Sequence, residues 1–112
     1  GALVLIMHEL PAGRVTTLHG HLSARRGLAV ATGDSVVAGQ LLGTAADDDE
    51  DGGPWGPHLH FGVRRGAPGL GEETCGVWPY VGYTRTCSGW SHEQFRSQWI
   101  DPHDVLPITF VE

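Results

Sequence analysis

Four of the seven histidines in this 112-residue chain fall into two His-x-His pairs: His19 with His21 in RVTTLHGHL, and His58 with His60 in GPWGPHLHFGVRRG. Side chains alternate faces along an extended strand, so the members of each pair share one face, with Leu59 and Phe61 turned to the other. Neutral imidazole is the commonest metal ligand and the usual general base near neutral pH. Two adjacent strands that each offer such a pair can build a metal or catalytic site. Two strands carrying packed, hydrogen-bonded histidines build none, and the spacing alone leaves both readings open.

The elements that must position these histidines are mostly strands. ALVLIMH (2–8) and RVTTLHGHL (14–22) read as a β-hairpin, with Pro11-Ala12-Gly13 supplying the turn. In VATGDSVVAGQLLG, Val30, Val36 and Leu42 recur six residues apart, and Gly33 and Gly39 recur on the same period. A glycine in each step predicts short strands that turn sharply, as in a small barrel or sandwich. Pro57 is acceptable at the first position of the strand carrying His58 and His60. The segment 66–99 reads as an ordered excursion, within which SHEQFRSQW is the one helical stretch. Ser91 and Gln94 stand there in capping-box register, and Phe95 and Trp99 share one face. DPHDVLP predicts a single turn and ITFV a last strand. The fold class expected is mainly β, with antiparallel sheets in a small barrel or sandwich.

Length and composition bound the function. A chain of 112 residues is expected to form a single domain, 1–112, and 40% hydrophobic with 18% charged residues suits a globular one. Net charge is −6, and the seven basic residues are all arginine and scattered, which argues against a nucleic-acid partner. No apolar run approaches the length of a membrane span. With neither an initiator methionine nor a signal peptide at its start, the sequence opens as a processed or truncated piece would. Cys75 and Cys87, spaced C-x11-C, suit a disulfide better than a zinc knuckle or redox pair, and a disulfide implies export. The other reading is two buried thiols. The acidic run Asp47–Asp51 resembles the start of a calcium loop, yet the position for its bidentate glutamate is His58, so a solvated loop is expected.

Three motifs together resemble the lysostaphin-type (LytM-type) zinc metalloendopeptidases, which cut peptide bridges in bacterial cell walls. They are Thr-x-x-x-His-Leu ending at His21-Leu22, the glycine-spaced V-x-x-G-D-x-V-x-x-G-Q-x-L-G, and Gly56-Pro57-His58-Leu59-His60-Phe61. The resemblance runs from about Leu3 to Phe61 and resumes at Asp101-Pro102. It implies that His60 is a zinc ligand. It implies that His58 acts on the attacking water, and that His21 orients that water or stabilises the oxyanion. Zinc lowers the pKa of bound water to about 7 and polarises the scissile carbonyl, and a nearby imidazole takes the proton. The implied partner is a peptidoglycan peptide, with a glycine-containing bond, for a protein that is secreted or in the cell envelope.

The chain departs from the family in one consequential way. The family's further zinc ligands come from a His-x-x-x-Asp motif, and no His-x-x-x-Asp occurs in these 112 residues. Catalytic zinc needs three protein ligands and an open position. The expectation is that the domain is N-terminally incomplete; the rival is a metal-free relative that binds cell wall or regulates an enzyme. Where the family has an aromatic residue, this chain has His19, expected to be packed, and His8, His92 and His103 are expected to be structural or exposed. Biotinyl and lipoyl carrier domains share the glycine-spaced valines, but they need a lysine, and the chain has none. A glycan- or peptide-binding module built around Trp55, Trp78, Tyr80, Tyr83 and Trp90 is the remaining alternative.

Overall fold

The computed structural model describes residues 1–51, 54–66, 93, 96–97 and 99–105. Cys75, Cys87, His92, the four aromatic residues from Trp78 to Trp90 and the strand expected at 108–111 lie outside the described residues. Among the described residues the fold is mainly β, with one antiparallel four-stranded sheet in the order β1-β2-β3-β4. Its strands are β1 (Ala2–Leu10), β2 (Gly13–Leu22), β3 (His60–Arg65) and β4 (Trp99–Ile100). A four-residue helix, α1 (Asp48–Asp51), precedes β3, and a 3-10 turn covers Pro102–Asp104. No helix among the described residues is long and apolar enough to cross a membrane.

The hairpin forms as expected. Pro11 fixes its own φ, and Gly13 takes φ +127°, a value that side chains disfavour, so the chain reverses within two residues. Along β2 the pleat is legible in burial: Thr16, Leu18, Gly20 and Leu22 are buried, and the residues between them are half-buried.

Among the described residues the sheet is not closed into a barrel, and the glycine-spaced segment adds no strands to it. Residues 30–43 form no strand. Instead, the same β-turn occurs twice, six residues apart. In the first, the Asp34 amide donates to the Ala31 carbonyl (3.1 Å), and the Ala31 amide to the Asp34 carboxylate (2.9 Å). In the second, Gln40 and Val37 repeat both bonds at 3.1 Å. Gly33 (φ +94°) and Gly39 (φ +85°) stand at the third position of each turn, where a positive φ is required. Val30, Val36 and Leu42 are half-buried while the residues between them are exposed, so the period marks which side chains turn inward, not strands.

The chain divides into two compact units: Gly1–Val4 with His19–Phe61, and Leu5–Leu18 with Gly62–Glu112. Within the second, Leu18 and Val63 are each 1% exposed, a burial worth about 1.5–3 kcal/mol per side chain. Thr16, also fully buried, donates its hydroxyl to the Gly66 carbonyl at 2.8 Å, so its polar atom is satisfied. β3 and β4 pair through Val63 with Ile100 and Arg64 with Trp99, and the buried Arg64 guanidinium lies 5.7 Å from the Trp99 ring. Trp99 was expected on a helix with Phe95. Glu93, Arg96 and Ser97 are helical, but Trp99 opens β4, where pairing with Arg64 outweighs the helical spacing.

Within the first unit, Leu22 and Ala46 are buried with Ser23. The segment after β2 is sewn to the segment before α1 by an isolated bridge between Leu22 and Ala45. Bonds from Ser23 N–H to Thr44 O (2.7 Å) and from Ala46 N–H to His21 O (2.8 Å) flank it.

Candidate functional site

His21 ends β2 in an unusual backbone state. Its φ is +61°, the one positive value among the described non-glycine residues, in a region that costs L-residues about 1–3 kcal/mol. The consequence shows in its neighbours. His19 packs edge-on against Phe61, with ring centroids 5.3 Å apart, and its Nδ1 lies 3.4 Å from the Val4 carbonyl. His21 instead meets His58 (4.6 Å between centroids) and His60 (5.7 Å). In a regular pleat His19 and His21 face one way, while His60 and Phe61 face opposite ways. The positive φ falls at the penultimate residue of β2, the residue whose ring meets His58 and His60. The structure thus brings His21, His58 and His60 together, while His19 packs against Phe61, in keeping with the packed position expected for it.

His60 is the first residue of β3, while His58 stands just before the strand in an exposed position. The two nevertheless converge on the His21 ring. The Nδ1 of His58 lies 2.8 Å from the Gly56 carbonyl. A carbonyl oxygen only accepts, so this nitrogen carries the proton, and Nε2 is the acceptor of the neutral ring. Gly56 takes φ +73°, which bends the chain back for that contact. Burial lowers the pKa of His60, and the neighbouring His21 and His58 lower it further, which favours the neutral imidazole that binds metals.

The acidic run, expected as a solvated loop, is helical over Asp48–Asp51, and Asp47, Asp48 and Asp49 are exposed. Asp47, Asp49 and Glu50 are engaged with the segment that leaves β2. Glu50 accepts three bonds there: the hydroxyl of the fully buried Ser23 (2.8 Å), the Ala24 amide (2.6 Å) and the Arg25 amide (3.0 Å). Those bonds hold its carboxyl below the usual glutamate range, Arg25 and Ser23 contributing most. Asp49 pairs with Arg25 and Asp47 with Arg26, both at 2.9 Å, and Arg26 also donates to the Thr44 hydroxyl and the Ala45 carbonyl. The two surface ion pairs add little individually. The Glu50 bonds, made to backbone and to a buried hydroxyl, fix where α1 sits.

So anchored, α1 delivers Asp51 to His21: a carboxylate oxygen of Asp51 accepts from Nδ1 of the imidazole. The two side chains are only 17% and 21% exposed, so water competes weakly for the contact. The other Asp51 oxygen lies 3.3 Å from the Gly1 amino group. Burial raises the Asp51 pKa, but that amino group and His21 outweigh it, and the carboxyl titrates below its ordinary value.

Sequence reasoning named His21, His58 and His60, and these are the residues brought together. It missed Asp51 and Glu50, whose partners lie 25 to 50 positions earlier in the chain. The signal available was the Arg25-Arg26 doublet just past His21, the natural counter-charge for an acidic run. Of the remaining histidines, His8 shares a 2.8 Å contact with the Thr17 hydroxyl, and His103 bonds to Asp101 at the start of the 3-10 turn. Trp55 is 78% exposed.

Among the described residues, no group of three or more His, Cys, Asp or Glu side chains is arranged to hold a metal ion. These residues alone therefore do not supply the three protein ligands that catalytic zinc requires. No curated protein and no solved structure matches the chain. A family model described as peptidase family M23 matches residues 1–71, more than half of the chain, and spans β1, β2, α1, β3 and all three converging histidines. The chain belongs to peptidase family M23.

Proposed function

We propose that this protein is a zinc-dependent endopeptidase of the bacterial cell envelope, acting on the peptide cross-bridges of peptidoglycan, with glycine-containing bonds as its targets. The observation that carries the reading is the convergence of His21 and His58, with ring centroids 4.6 Å apart beside His60, in a chain of this peptidase family. His58 holds its proton on Nδ1 against Gly56, so Nε2 is the atom that takes a proton from an attacking water. His21, held through its own Nδ1, turns the other edge of its ring to the same space and orients that water. His60, neutral and half-buried at the start of β3, is offered as one metal ligand. The reading requires two further ligands, which the described residues do not supply.

A second reading is a metal-free relative that binds or regulates at the cell wall; the lack of a three-residue metal group among the described residues favours it. The exposed Trp55 suits a wall-binding face as well as a substrate-binding one. The two readings separate when the complete encoded protein is incubated with purified peptidoglycan, with and without a chelator. New amino termini that appear only without the chelator support the peptidase. Sedimentation with the wall and no new termini at any metal concentration overturns it in favour of the binding module.

A further inference from the structure

We propose that Asp51 is the positioning residue of His21, fixing the tautomer and direction of that imidazole through its Nδ1. The inference deepens the peptidase reading and rests on it for the catalytic role, while the pairing itself stands on the fold.

An ionised carboxylate can only accept, so the ring nitrogen facing Asp51 must be the one that bears hydrogen. In the neutral ring this makes Nε2 the acceptor, the same assignment that the Gly56 carbonyl imposes on His58. Two neighbouring imidazoles thus present the same kind of nitrogen, each fixed from behind by an oxygen. A histidine with neither constraint populates both tautomers and turns about its side-chain bonds, and one of the two tautomers points a hydrogen where an acceptor is needed.

Asp51 is itself held in place. Glu50, its chain neighbour, spends its carboxylate on Ser23, Ala24 and Arg25, the residues that begin two positions after His21. The carbonyl of His21 itself accepts from Ala46. His21 and Asp51 are therefore clamped in two places besides their own contact, and Asp51 reaches the ring from a braced support rather than from a loop tip. The ring of His21, whose backbone is left-handed, meets His58, while that of His19 meets Phe61.

The test uses the complete encoded protein. Asp51→Ala is expected to lower kcat on the order of 10- to 100-fold, the usual cost of losing a group that orients an active-site histidine. KM and bound zinc should stay within about twofold, because Asp51 faces neither substrate nor metal in this assignment. In a His21→Ala background, Asp51→Ala should cost nothing further, since its whole effect passes through that ring. Nitrogen NMR of the labelled chain gives a readout independent of turnover. His21 should show hydrogen on Nδ1 in the parent and a mixture of tautomers in Asp51→Ala. Asp51→Asn, which keeps the size and one accepting oxygen, should restore part of both signals and guards against a variant that does not fold. An unchanged His21 tautomer in Asp51→Ala overturns the proposal, as does an equal loss in the presence and absence of His21. If the parent hydrolyses nothing, the peptidase reading fails while the NMR arm still decides whether Asp51 sets the ring.

Discussion

The Glu50 carboxylate accepts the hydroxyl of Ser23, a residue with no solvent exposure, at 2.8 Å, and with its other oxygen takes the amides of Ala24 and Arg25. One side chain thereby closes the turn that follows His21. Its carboxyl titrates below the ordinary glutamate value of about 4.3 because the Arg25 amide, the Ser23 hydroxyl and the Ala24 amide all favour its charged form. A depressed folded-state pKa contributes stability that is present above the unfolded value and is lost as pH falls through the folded one. Glu50→Gln should therefore lower the urea midpoint at pH 7, and the gap between parent and variant should narrow as pH drops below about 4.3. Urea titrations at several pH values check this. A gap that is constant from pH 7 to pH 3 would mean that the carboxylate charge contributes nothing.

The backbone of His21 makes a second prediction, about shape rather than charge. At φ +61° an alanine suffers the same steric penalty as histidine, and a glycine does not. Both His21→Ala and His21→Gly remove the ring and its bond to Asp51, so comparing the two isolates the backbone. The glycine variant should be the more stable by about 1 kcal/mol, although glycine is normally the worse residue in a strand. Chemical denaturation of the two variants side by side measures the difference. An alanine variant as stable as the glycine one would show that the left-handed state is not kept without the imidazole.

How much of this was legible in the sequence depends on how locally each feature is determined. The hairpin was legible because Pro11 and Gly13 act on their own dihedral angles. The meeting of His21, His58 and His60 was legible through the family's motifs. His19 was expected to be packed, and its edge-on contact with Phe61 agrees. The six-residue glycine period was correctly seen and wrongly interpreted: a repeated turn and a repeated short strand leave the same spacing of glycines and half-buried valines. Asp51 was hidden for another reason. A run of five acids looks solvated until its counter-charges are located, and these lie across a loop that no local pattern spans.

Gly62 lies in β3 with no unusual φ, so its requirement for glycine comes from packing alone. A Cβ there would stand 3.1 Å from Cζ3 of Trp99 and 3.9 Å from Cβ of Leu18. The first distance is closer than carbon atoms ordinarily approach, and Trp99 is paired through β4 to Arg64, next along from Val63. Gly62→Ala should therefore destabilise by about 1–3 kcal/mol, the usual cost of overpacking. Relief should follow when Trp99 is shortened in the same chain, so that Gly62→Ala costs less in a Trp99→Leu background than alone. Thermal unfolding of the four proteins completes the cycle. Independent, additive effects would place the Trp99 ring elsewhere in solution.

His58 and His60 sit one residue apart and are assigned different tasks, and that difference is measurable in the complete encoded protein. His60, at the start of β3, is proposed as a ligand. Its removal should take away zinc and activity together, since two remaining protein ligands seldom hold a catalytic metal. His58 is proposed as the base, its Nδ1 committed to the Gly56 carbonyl and its Nε2 turned to the water. His58→Ala should keep its zinc and lose on the order of 10²- to 10⁴-fold in turnover, the range for removing a general base. The loss should fall on kcat rather than KM, because the proton moves only in the transition state. His58→Gln supplies a control: it can still bond to Gly56 but cannot take a proton, so it should be as inactive as the alanine variant. Zinc content and hydrolysis rate, measured on each variant, decide between the assignments. Equal zinc loss in the two alanine variants would make His58 a ligand as well, and an active His58→Gln would remove proton transfer from its role.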